Sequence, residues 1–162
     1  MDNFLAAENL ERINAFRERT GLSKRTYHSL GKKLLLLTPA TTGPMPQEII
    51  RGYLDQHLIA EQNGISNNCF DIARTALAAG CATGTMHSVS GSTQDFIGWA
   101  NHCVNFDELP DETVLAIDLT ASRNIDRGAR NFDVLALRAL DTDSLQLQIG
   151  ELFGGEWQMD HT

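Results

Sequence analysis

The stretch Trp99-Ala100-Asn101-His102-Cys103-Val104-Asn105-Phe106, followed by Asp107-Glu108-Leu109-Pro110-Asp111-Glu112 and then Val114-Leu115-Ala116-Ile117-Asp118-Leu119-Thr120, reads as two β-strands joined by a hairpin loop. Its outer segments carry β-branched and aromatic residues, and its middle segment is polar with a proline, as strands and their turns require. Further strands are predicted over 132–140 and 144–150, with Asp141-Thr142-Asp143 as a tight turn between them. The Gly-, Ser- and Thr-rich segment from Cys81 to Gly98 reads as loop or irregular strand.

Upstream of this sheet the pattern is helical. Phe4, Leu5, Leu10, Ile13 and Phe16 recur near helical spacing among charged residues, predicting a helix over 4–19 that Gly21 stops. A second helix is predicted over 23–37, from Ser23 as N-cap to the Leu34–Leu37 run. Pro39, Gly43, Pro44 and Pro46 then mark a loop. A third helix is expected over 46–60, with Ile49, Ile50, Tyr53, Leu54, His57 and Leu58 on one side, and a short Ala-rich one over 69–79, closed by Gly80. Helices first and a small antiparallel sheet after make the predicted class α+β. The 162 residues suit a single domain, with residues 1–38 as a helical N-terminal extension and 47–162 as the core.

Thirteen Lys and Arg against twenty-one Asp and Glu leave a net charge of −8. That balance argues against nonspecific binding to nucleic acid or anionic membrane, both of which need a basic face. Arg123, Arg127 and Arg130 form a local basic stretch around Asp126, which suits either a solvated loop or an acidic target. The longest aliphatic run, Leu34 to Leu37, is far too short to cross a bilayer. Met1-Asp2-Asn3-Phe4 lacks the charged and apolar regions of a Sec-type leader, so synthesis in a cytoplasm is expected.

Three residues carry the candidate chemistry. Cys69 follows Asn67-Asn68 and opens a predicted helix, whose N-terminal partial charge favours a thiolate. The plain alternative is a small buried cysteine in a core helix. His102 and Asp118 sit on the two strands of the predicted hairpin. A register in which His102 lies opposite Asp118 turns both side chains to one face. A thiol, an imidazole and a carboxylate in these settings are the parts of an activated cysteine nucleophile. Gln62, seven residues before Cys69, is a candidate side-chain donor to an oxyanion. Trp99 suits either a groove wall or the core. Cys69, Cys81, His87, His102 and Cys103 lack CxxC or HxxxH spacing, so no metal or other cofactor is expected. Cys81 and Cys103 are a conceivable bridge or two buried thiols.

The sequence Asn68-Cys69-Phe70-Asp71-Ile72-Ala73 after Gln62, then His102 on a strand, then Ile117-Asp118-Leu119-Thr120-Ala121 after a hairpin, resembles the papain-like superfamily. The nearest likeness is to its small bacterial effector and toxin members, several of which are glutamine deamidases. Thirty-three positions separate Cys69 from His102 and sixteen separate His102 from Asp118, a compact layout as in those members. The resemblance spans roughly residues 62–121. It implies a papain-like fold, Cys69 as nucleophile, His102 as base and acid, Asp118 as its orienting group and, more loosely, Gln62 at the oxyanion. It departs in having Phe70 where the family often has tryptophan. It also implies bacterial origin, a protein substrate in a host or rival cell, a cognate chaperone or immunity protein, and export without a cleavable leader. The same triad serves deamidation, proteolysis and transglutamination. The alternative from another class is a non-catalytic adaptor that uses its acidic surface.

Overall fold

The computed structural model describes residues 2–45, 47–64, 69–89, 93–94, 99–100, 102–121 and 131–161. The chain runs α1 (Asp2–Thr20), β1 (Leu22–Ser29), β2 (Lys32–Pro39), α2 (Gln47–Gln62), α3 (Cys69–Ala78), β3 (Gly84–Ser88), β4 (Thr93–Gln94), β5 (Trp99–Ala100), β6 (Cys103–Glu108), β7 (Val114–Asp118), β8 (Val134–Ala139), α4 (Thr142–Phe153) and β9 (Trp157–His161). Seven strands form one sheet in the order β1-β2-β8-β7-β6-β3-β9, and β4 pairs with β5 apart from it. The architecture is α+β, as expected. The sheet is mixed and large, however, because β2 runs parallel to β8 while its other pairs are antiparallel.

Helices cover both faces. Ile13 and Phe16 of α1 and Leu145, Ile149, Leu152 and Phe153 of α4 pack on Leu35, Leu37, Val104, Phe106, Ala116 and Leu137. Ile50, Tyr53 and Leu54 of α2 and Ile72 and Ala76 of α3 pack on Leu34, Leu36, Leu115, Ile117, Val134 and Ala136. Neighbouring strand residues therefore enter opposite cores. That is why β7 and β8 are buried along their whole length and why Leu34–Leu37 is apolar without alternation.

Two predicted elements change type. Residues 23–37 form the β1–β2 hairpin and not a helix, so residues 22–39 belong to the main sheet and only α1 precedes it. The hairpin pairs Ser29 with Lys32, leaving Leu30 and Gly31 as a two-residue turn with φ of 51° and 74°. Both angles are those of a turn whose twist matches the flanking strands. Residues 144–150 form α4 and not a strand. Asp141 caps it by accepting from Ser144 N at 2.7 Å, and burial falls on Leu145, Ile149, Leu152 and Phe153 at helical spacing. The expected turn at Asp141 is this cap. The segment from Cys81 to Gly98 contributes a main-sheet strand, β3, over Gly84–Ser88.

Gly84 lies where the edge strand β9 comes closest. A Cβ there would stand 2.1 Å from the Asp160 carbonyl oxygen and 2.7 Å from the Phe106 ring. Gly84→Ala should therefore destabilise the protein by ~1–3 kcal/mol through overpacking. Leu30→Asn should instead stabilise it by ~0.5–1 kcal/mol, since asparagine tolerates the left-handed region that leucine resists. Urea unfolding of both variants reads these opposite shifts.

Candidate active site

Cys69 is the first residue of α3. The Asn67-Asn68 pair expected to precede and cap it lies outside the described residues. At a helix start the backbone N–H groups have no intrahelical partner, and the helix dipole places partial positive charge beside the sulfur. The helix is anchored to the sheet by Asn105, whose Nδ2 donates to the Ala73 carbonyl at 2.8 Å. Cys69 is 7% exposed and packs in a small buried cluster with Ala73 and Cys103, flanked by Phe70.

His102 stands one residue before β6, and Asp118 ends β7. The two strands pair Asn105 with Ile117 and Phe106 with Ala116. Continued by one pair, this register sets Asp118 level with Val104, so His102 meets Asp118 diagonally rather than directly opposite. The shared face is kept and the side chains meet. His102 Nε2 donates to Asp118 Oδ2 at 2.7 Å, with each residue 3% exposed. That leaves Nδ1 as the free ring nitrogen facing the thiol, and the Cys69 side chain contributes to the raised pKa of the same ring. The structure thus gathers Cys69, His102 and Asp118 into one buried chain.

Each member is held in place by its neighbours. The other carboxylate oxygen of Asp118 accepts from Thr120 N at 3.0 Å and from Thr120 Oγ1 at 3.1 Å. Ser88 clamps the backbone of His102, its N donating to the His102 carbonyl at 3.0 Å and its Oγ accepting from His102 N at 3.1 Å. Phe153 and Trp157 meet the imidazole edge to face, with ring centroids 5.7 Å and 6.0 Å away. Trp157 is fixed in turn by its Nε1, which donates to the Gly154 carbonyl at 3.1 Å. Such geometry restricts the imidazole to one orientation.

Burial alone would pull the His102 pKa down, but the Asp118 charge, the hydrogen bond to it and the Cys69 side chain together raise it from 6.5 to about 10. The ring is therefore an imidazolium at neutral pH, the neighbour that most favours a thiolate. Cys103 differs. Burial and then the charge of Cys69 push its thiol up to about 12. Burial, followed by Asp107 and Asp55, also raises Cys81, whose Sγ faces the Gly52 carbonyl at 3.7 Å. Cys103 packs with Cys69, whereas Cys81 packs against the core beneath α2, and all three cysteines are free thiols.

Gln62 ends α2 with an exposed side chain, and the geometry does not join it to the buried group. The Trp99 side chain and Arg123, Arg127 and Arg130 lie outside the described residues. Among the described residues no three His, Cys, Asp or Glu side chains stand together as a metal cage, and no helix is long and apolar enough to cross a membrane. Thr120, Ser88, Phe153 and Trp157 were not singled out by the sequence. Only Thr120 left a local sign there, an Asp-x-Thr spacing in which the aspartate can bond the backbone two residues on. No family model, curated protein or solved structure matches this chain.

The raised imidazole couples stability to pH. Its folded value exceeds its unfolded one, so its contribution is fully present below about pH 6.5 and lost as pH rises to about 10. Urea unfolding should show this decline in the wild type relative to His102→Gln, a comparison that subtracts the thiols. A difference between the two proteins that does not change over that range would contradict the assigned protonation. Thr120→Val should leave the fold intact but loosen Asp118, lowering Cys69 reactivity by about 10–100-fold.

Proposed function

We propose that this protein is a cysteine-nucleophile hydrolase of papain-like type acting on protein amide groups, with deamidation of a target glutamine as its reaction. The observation that carries this reading is a single buried imidazole bonded at Nε2 to Asp118 and electrostatically coupled to the side chain of Cys69 at a helix start. Structural ion pairs need no thiol on the second nitrogen, whereas nucleophilic catalysis does. The papain-like assignment rests on the order Cys69, His102, Asp118 and on a helix that presents its first residue to two antiparallel strands. The sheet's second helical layer, α1 and α4, goes beyond the resemblance.

The proposed chemistry uses that arrangement. The Cys69 thiolate attacks the carboxamide carbon, and the oxyanion forms beside the first turn of α3, at the positive end of the helix dipole. That assignment gives the helix start, rather than Gln62, the main oxyanion role. His102 passes its Nδ1 proton to the leaving nitrogen, and ammonia departs from a thioester. The ring then takes a proton from water as it attacks, releasing the carboxylate and restoring the pair. Asp118 holds the ring orientation throughout and offsets its charge.

An acidic effector or toxin acting inside another cell, with a chaperone or immunity protein as partner, is the setting this chemistry suits. The test is intact mass spectrometry of candidate target proteins incubated with the wild type or with Cys69→Ala. Deamidation adds ~1 Da, while proteolysis cleaves the target and transglutamination joins it to an amine. Asp118→Asn should keep the fold and reduce turnover by about 10²–10⁴-fold, because the imidazole then rests in the wrong tautomer. An unmodified target set together with a slow, unselective Cys69 thiol would favour a binding protein instead.

A further inference from the structure

Between α4 and the edge strand β9 lies an open groove of about 970 Å³. Its volume is at the upper end of small-molecule pockets, which run to ~1,000 Å³, so it suits a short stretch of chain better than one side chain. Its apolar lining comes from Leu147, which is 69% exposed, from the half-buried Val89 and Met159, and from the buried Trp157. Leu147 breaks the burial pattern of α4, whose other large apolar residues Leu145, Ile149, Leu152 and Phe153 enter the core. Around that surface stand the exposed carboxylates of Asp143, Glu151 and Glu156, with no cationic side chain among the described lining residues.

The groove adjoins the triad. Trp157 lines it and also meets the His102 ring. The rim is tied to the same strand end, because Val89 N donates to the Glu156 carbonyl at 2.8 Å while the preceding residue, Ser88, clamps His102. A chain segment lying along the groove is thus one aromatic side chain away from the imidazole. Three carboxylates around an exposed leucine complement a segment that alternates basic and apolar residues, the pattern an extended peptide presents to one face.

We propose that this groove is the docking surface for a basic, extended segment of the substrate protein, engaged beside the amide that reaches Cys69. The proposal rests on the hydrolase reading above and deepens it by naming the substrate class. It separates recognition, at α4 and β9, from chemistry, at α3, β6 and β7.

The test uses the full chain carrying Cys69→Ala and two short fluorescein-labelled peptides, one alternating leucine with arginine and the other leucine with glutamate. Fluorescence anisotropy should detect binding of the arginine peptide alone, weakening as salt is added. Glu151→Lys with Glu156→Lys should raise its Kd by at least about tenfold, whereas Glu48→Lys with Asp55→Lys on α2, an equal change of net charge, should leave it nearly unaltered. All four residues are exposed, and circular dichroism verifies that both variants fold. Equal weakening in both double variants, or absence of arginine-peptide binding, would overturn the proposal. So would self-association abolished by Leu147→Asp, which would give the groove to a second copy of the chain. Alkylation of Cys69 by iodoacetamide, measured in the same proteins with Cys69 restored, separates the two levels. Fast alkylation without peptide selectivity removes the groove alone, whereas slow alkylation with selective peptide binding removes the hydrolase reading and leaves a binding groove.

Discussion

The hydrogen bond from His102 to Asp118 is the interaction on which the rest of the site depends. Both groups are almost wholly buried, and neither is tolerable there alone. A buried carboxylate without a cation would take up a proton, and a buried imidazole without a carboxylate would give one up. Together they hold an imidazolium in a wall of aromatic rings. On the function proposed above, the ring's charge and its fixed direction are what distinguish Cys69 from a core cysteine. Its neighbour Cys103, within the same small cluster, has its thiol pushed up to about 12 by burial and then by the charge of Cys69.

The fold serves that pair by bringing separate segments to one end of the sheet. The β6–β7 hairpin supplies the histidine and the aspartate, α3 supplies the thiol, and α4 with β9 supplies the aromatic wall. The sheet is covered on both faces, so its central strands are buried, while β9 lies at its edge and among the described residues pairs only with β3. The β3–β9 ladder pairs Gly84 with His161 at one end and Ser88 with Trp157 at the other, where Trp157 meets the imidazole.

Much of this was legible in the sequence, and its limits have physical causes. The helices α1, α2 and α3 and the hairpin over residues 107–112 carry periodicity and turn residues that read directly. The order of Cys69, His102 and Asp118 could be read because each sits in a segment with a clear local pattern. The β1–β2 hairpin could not, because a strand buried on both faces shows an unbroken apolar run that also fits a helix. The clearer sign was Gly31, a turn residue too well placed to be a helix interior. Residues 144–150 misled because exposed Leu147 completes a false alternation with Leu145 and Ile149. The capping by Asp141 was the better guide. Phe153 and Trp157 carry no sequence sign at all, since their role is created by tertiary packing alone.

The most direct test of the central claim is competitive alkylation. Wild-type protein is exposed to a limiting amount of iodoacetamide near neutral pH, and peptide mass spectrometry reports the label on each cysteine. The account predicts that Cys69 is labelled at least about 10²-fold faster than Cys81 or Cys103, and that Asp118→Asn erases most of that advantage. Equal labelling of the three thiols, or a Cys69 rate indifferent to Asp118, would contradict it.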